Sequence, residues 1–285
     1  ALLLSGPITA QDAPAPNAPP VEATPVAKPA PASTPTATPA TVDADPALWV
    51  VKDKDTTIYL FGTIHVLKPG LSWFDEAVRT AFDKSDELRL EMVLPEGPEV
   101  QAEALKMGTL PEGQTLSAKL PEDTQKKLTS TLAKYGIPAG TFDRFTPWFT
   151  ANNLAVLPLL GLGYKLDAGA EKVLSAAAKE KAKPITGFET FTEQLGFFAS
   201  LSEKAQIDFL TSGLDEMDKV GPTVDAMVAD WARGDPKALA DLLNDDLEKN
   251  RELADKLLFQ RNARWADWIK TRMKTPGTVF IAVGA

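Results

Sequence analysis

Cysteine is absent from the 285 residues, and histidine occurs once, at His65. The first absence removes a disulfide framework, a thiol nucleophile and any cysteine-ligated zinc or iron–sulfur centre. It does not choose a compartment, because oxidising and reducing surroundings both tolerate a chain without thiols. A basic surplus is missing too. The net charge is −9, and no nucleic-acid partner is expected, since neutralising phosphates takes a basic patch. No stretch approaches the roughly 18 consecutive apolar residues of a membrane-spanning helix. With 44% hydrophobic and 24% charged residues, the chain can bury one substantial core or two small ones.

Residues 1–10, Ala1-Leu2-Leu3-Leu4-Ser5-Gly6-Pro7-Ile8-Thr9-Ala10, read as the remnant of a secretory signal peptide, with an apolar core, a Gly-Pro break and a small residue before Gln11. They predict a periplasmic or secreted protein. Residues 11–45 are rich in Pro, Ala and Thr, as in Thr34-Pro35-Thr36-Ala37-Thr38-Pro39. That proline density opposes helix and ladder alike and predicts a disordered, extended linker. Residues 46–285 are expected to form the folded domain.

Two strand-like runs, Ala47–Lys52 and Thr56–Phe61, flank Asp53-Lys54-Asp55 and read as a hairpin. Phe74, Ala77, Val78, Ala81 and Phe82 follow with helical spacing, and Glu87–Val93 alternates as a strand. Strand, helix, strand is a βαβ unit, with both strand ends at one sheet edge. The pattern then turns helical over 99–135, Phe142–Leu160 and Leu166–Lys181. A short strand at Pro184–Glu189 leads into a helix at Thr192–Ala199, and 214–274 is almost wholly helical, with Trp231, Trp265 and Trp268 read as core. Thr278–Val283 is a final apolar strand, returning beside the first. The predicted class is α/β: a mixed sheet opened by a hairpin and a βαβ unit, a long helical middle and a C-terminal strand.

His65 stands just past a predicted strand, where open α/β sheets place ligands. A lone imidazole is ordinarily a surface or satisfied side chain. Here Gly62 before it offers a sharp turn or a close backbone approach, and Thr63 offers a hydroxyl. Glu91 and Glu189 also fall at strand ends. One imidazole with carboxylates suits Mn, Co, Fe or Zn better than Mg or Ca. A serine hydrolase is disfavoured because no G-x-S-x-G elbow is present. Gly161-Leu162-Gly163 lacks both a preceding strand and a third glycine, which disfavours a phosphate loop.

Four segments together resemble the TraB/GumN family, to which the Tiki proteases belong. They are Leu60-Phe61-Gly62-Thr63-Ile64-His65, Ser85–Glu91, Gly187-Phe188-Glu189-Thr190 with Glu193-Gln194-Leu195, and Arg261-Asn262 with Val279–Ala285. The resemblance spans about residues 47–285, and order and spacing agree across all four. It implies a metal-dependent protease acting on peptide segments of secreted proteins, with a site made of two Gly-x-x-His motifs and acidic residues. It carries the first motif onto His65, assigns Glu91 and Glu189 as metal ligands or catalytic base, and adds Asp167, Arg261 and Asn262 as further candidates. Gly284-Ala285 matches the opening of the second motif, Gly-Ala-Gly-His. An apolar strand stopping there, with its edge taken to be bare, predicts a truncated domain that binds metal weakly.

The leading expectation is an exported metal-dependent hydrolase, a peptidase with a divalent ion and a peptide or protein substrate. The alternative is a non-catalytic periplasmic protein that binds a peptide or metal complex in the same pocket.

Overall fold

A computed structural model describes residues 41–95, 97–247 and 250–284. The proposed signal remnant and most of the proposed linker lie outside the described residues. In chain order the described strands are β1 (Val42–Asp43), β2 (Leu48–Lys52), β3 (Thr56–Thr63), β4 (Leu71–Ser72), β5 (Glu87–Met92), β6 (Ile185–Glu189) and β7 (Gly277–Gly284). The helices between β4 and β6 are α1 (Glu76–Lys84), α2 (Pro98–Gly108), α3 (Leu116–Lys119), α4 (Glu122–Lys134), α5 (Pro147–Ala155), α6 (Leu157–Gly161) and α7 (Ala170–Glu180). Those between β6 and β7 are α8 (Phe191–Ala199), α9 (Glu203–Glu216), α10 (Val220–Ala232), α11 (Pro236–Leu247), α12 (Arg251–Ala254) and α13 (Gln260–Arg272), with a π turn at Asp255–Phe259 leading into α13.

The main sheet has the order β2-β3-β7-β5-β6. The expected hairpin is present: β2 pairs antiparallel with β3, and the Asp53 carboxylate closes the turn by accepting the N–H groups of Asp55 and Thr56. The remaining four strands run parallel. β3 and β5 do form the outer members of a βαβ unit, but they are not neighbours, because β7 is inserted between them. This corrects the premise that the last strand has a bare edge. β7 pairs with β3 along its whole length and with β5 on its other side, and Val279, Phe280, Ile281 and Ala282 are essentially without solvent contact. An unbroken apolar run is what a central parallel strand requires, since both its faces are covered.

One face packs on α1 and α7. Phe82 of α1 and Leu174 of α7 are fully buried there with Phe61, Leu88 and Phe280. Burying each such side chain contributes about 1.5–3 kcal/mol. Phe61 stacks on Trp73, and Trp231 meets both edge-on, so Trp231 is core as expected. The other face packs on α13 through Ile58, Val279 and Ile281 against Ile269 and Met273. Trp265 and Trp268 are only half-buried, which corrects their assignment to the core.

Residues 41–45 belong to the domain rather than to a linker. Val42–Asp43 pair with Leu71–Ser72, Ala44 is buried and the Asp45 N–H donates to the Ala232 carbonyl. The single helix expected over Phe142–Leu160 starts at Pro147, capped by Thr146, and is broken at Val156. Pro158 has no N–H to give the Leu154 carbonyl, so one continuous helix cannot form. Among the described residues no helix is long and apolar enough to cross a membrane.

Candidate active site

Four parallel strands end at one edge, and each brings a group to it: β3 leads to His65, β5 carries Glu91, β6 ends on Glu189 and β7 ends on Gly284. The start of α7 fixes the first of these. The Ala170 N–H donates to the Ile64 carbonyl at 3.0 Å, and a Cβ on Gly169 would lie 2.1 Å from the His65 carbonyl oxygen. Only glycine permits so close an approach. With the helix docked there, Glu171 in its first turn places Oε1 2.5 Å from His65 Nδ1 and accepts the Thr63 hydroxyl at 2.5 Å. Burial opposes the charge on Glu171, yet His65 and the Thr63 hydroxyl hold its carboxyl below the usual range. Gly62 makes no sharp turn; it continues β3 opposite Val283, and its carbonyl accepts the Trp231 indole N–H.

A second cluster lies beside the first. Glu91 Oε1 accepts the Gly284 N–H at 2.7 Å, and Oε2 accepts Arg261 Nη2 at 2.6 Å and Gln194 Nε2 at 3.3 Å. Glu189 takes Arg261 with both oxygens, from Nε at 2.9 and 3.1 Å and from Nη2 at 2.8 Å, and also accepts Gln194 Nε2 at 3.1 Å. Side-chain exposures of 6% for Arg261, 4% for Glu189 and 13% for Glu91 make this a buried charge triad. Burial works against the Glu91 carboxylate, but Arg261, His65 and the Gly284 N–H outweigh it and lower its pKa. Burial also works against the Arg261 charge, and the two carboxylates raise its pKa regardless. The π turn contributes to positioning, since its Leu257 carbonyl accepts Arg261 Nη1 at 3.1 Å. Such turns recur at functional sites.

His65 Nε2 and Glu91 Oε1 border one small space over Gly284. A Cβ there would lie 2.9 Å from the Glu91 oxygen and 3.9 Å from the imidazole nitrogen. Glycine leaves that space open. An imidazole with Nδ1 fixed by a carboxylate presents Nε2 as a donor, and a second carboxylate beside it makes a pair suited to a transition ion. Both Glu189 oxygens accept Arg261, whereas Glu91 gives Arg261 only Oε2. Among the described residues no group of three His, Cys, Asp or Glu is placed to hold a metal ion. The side chains that border the open space over Gly284 are the pair His65 and Glu91, with Glu171 behind the ring.

Of the sequence candidates, Arg261 is central and links Glu91 to Glu189. Asp167 and Asn262 stand apart and exposed. α7 starts at Ala170, so Asp167 lies in the turn before it. Asn262 is rotated about 100° around α13 from Arg261 and is exposed. Sequence reasoning missed Glu171 and Gln194. The available signal for Glu171 was an acid two residues after Gly169, at the opening of a helix.

The model of the TraB/PrgY/gumN family matches residues 47–285. Two curated relatives, each named "Uncharacterized protein YbaP", come from Escherichia coli (strain K12) and Shigella flexneri. Each is 23% identical over 244 residues, covering 84% of this chain and 87% of the relative. No solved structure matches the chain.

Proposed function

Because the chain belongs to the TraB/PrgY/gumN family, we propose that it is an exported metal-dependent hydrolase of peptide segments, with His65 and Glu91 holding a divalent ion, Mn, Co, Fe or Zn. One observation carries this reading. The only imidazole in the chain is fixed through Nδ1 by Glu171 while its Nε2 borders, with Glu91 Oε1, the space kept open by Gly284. A divalent ion held by His65 and Glu91 would supply Lewis-acid activation of water and of a peptide carbonyl.

The residues of the chain divide the remaining work. Glu171 orients the ring, as carboxylate partners of ligating histidines do. Arg261 keeps Glu91 ionised and directed, so that Glu91 Oε1 can hold the ion. Glu189, expected to be a ligand or base, holds Arg261 in place through both its oxygens. The apolar, signal-like character of residues 1–10 supports export.

Metal removal tests the reading. Protein stripped with a chelator is mixed with quenched fluorogenic peptides, then reloaded with Mn, Co, Fe or Zn in turn. Cleavage of many equivalents of peptide with one of these ions, and none after stripping, is expected. Peptide retained uncut, saturating at one equivalent, would instead identify a binding protein.

A further inference from the structure

On the side of Arg261 away from His65, a cavity of about 440 Å³ opens between the outer strand β6 and α13. The sheet lends it Arg89 and Phe188. α13 lends Arg264, Trp265 and Trp268, which share one helix face with Arg261 at i, i+3, i+4 and i+7. The Arg89 guanidinium lies between the rings of Phe188 and Trp268, 4.6 and 4.1 Å from their centroids. Phe188 in turn stacks on Trp265 at 5.2 Å.

The unmet polar groups in this wall are donors. Arg89 Nε and Trp265 Nε1 are both buried without a hydrogen-bond partner. Arg89 gives one bond, from Nη1 to the Thr186 hydroxyl at 3.2 Å. The nearby Glu87 carboxylate is taken by Arg272 at 3.3 Å, and among the described residues no carboxylate stands at ion-pair distance from Arg89. Burial presses on its charge and lowers its pKa. Arg264 is half exposed and reaches Glu189 only at 3.5 Å. On the rim, Arg261 holds both oxygens of Glu189, and Glu193 accepts the Thr190 N–H at 2.7 Å and its hydroxyl at 2.9 Å with one oxygen, Oε2. A buried donor left unmet is destabilising unless a ligand brings an acceptor. A water would satisfy one N–H but would bring no charge to Arg89.

We propose that this cavity recognises a carboxylate carried by a peptide, held by Arg89 and Arg264. A carboxylate is flat and accepts only, matching a fork of guanidinium donors between aromatic faces. Among the described residues β6 has no neighbour on its outer side, so an extended peptide can pair along it and place one side chain or its chain end in the cavity. β6 ends on Glu189, which leads through Arg261 to Glu91. The peptide part rests on the hydrolase reading above; the anion part does not.

Calorimetric titration of metal-free protein tests it with three peptides: acetyl-Ala-Ala-Glu-Ala-Ala-amide, its Gln counterpart, and acetyl-pentaalanine with a free terminal carboxylate. A carboxylate peptide is expected to bind roughly tenfold tighter than the Gln peptide. Preference for the first peptide identifies a side-chain acid, and preference for the third a chain end. Arg89→Gln is expected to abolish the preference, and Arg264→Gln to reduce it roughly threefold. Equal affinity for all three peptides overturns the proposal, as does a preference surviving Arg89→Gln with an unchanged circular dichroism spectrum. Should Arg89→Gln fail to fold, Arg264→Gln on the helix surface decides: an undiminished preference rejects the site. No catalysis enters this titration, so its failure and that of the hydrolase reading are read separately.

Discussion

Replacing Arg261 with methionine is expected to lower the unfolding free energy by about 3–5 kcal/mol, because it strands two buried carboxylates at once. Glu91 and Glu189 are 13% and 4% exposed, and Arg261 donates to both. In the native protein the desolvation of all three charges is offset by mutual attraction and by the Gly284 and Gln194 donors. Methionine fills much of the volume but gives no hydrogen bond. Gln194, the Gly284 N–H and the outlying Arg264 would then face two repelling carboxylates, and one of them would have to take up a proton. Domains of this size are stable by only about 5–15 kcal/mol, so a large share would be lost. Glu189→Gln is expected to cost less, since Arg261 keeps Glu91. Urea unfolding followed by circular dichroism measures both, and a loss below about 1 kcal/mol for Arg261→Met would mean that the triad is solvated rather than buried.

His65→Ala is expected to remove metal-dependent peptide cleavage while leaving the fold intact. The ring is 27% exposed and lies beyond the end of β3, so its loss opens no core cavity. Its removal takes away one of the two proposed cation donors. Losing merely the outer partner of a ligating histidine costs roughly 10–100-fold in metal affinity, and losing the ligand itself should exceed that. Cleavage is measured with saturating peptide and excess metal, alongside a far-UV spectrum. Undiminished turnover in the variant would remove His65 from the chemistry.

Local pattern made much of the frame legible. Apolar, β-branched and aromatic runs identified β2 and β3, alternation identified β5, the Asp-rich turn marked the hairpin, and the spacing of Val78, Ala81 and Phe82 marked α1. The insertion of β7 between β3 and β5 was not legible, because pairing across more than about 200 residues leaves no local trace beyond an apolar run, which fits a central strand and an edge strand equally. At the site, strand ends placed His65, Glu91 and Glu189 at one edge, since parallel strands share a direction. What each carboxylate does there depends on partners distant in sequence. Glu189 faces Arg261 from α13, which makes it a counter-ion, while Glu171 reaches His65 only because Gly169 lets α7 settle against the His65 carbonyl. The half-burial of Trp265 and Trp268 was hidden for a similar reason: apolar spacing marks a helix face but not whether a second layer covers it.

The account stands on a cation shared by the ring of residue 65 and the Glu91 carboxylate. Crystals of the protein soaked in Mn²⁺ and measured for anomalous scattering test this directly. One peak about 2.0–2.3 Å from both His65 Nε2 and Glu91 Oε1 is expected. Soaked crystals with no peak at the imidazole, or with one bound by Glu189 in place of Arg261, would contradict it.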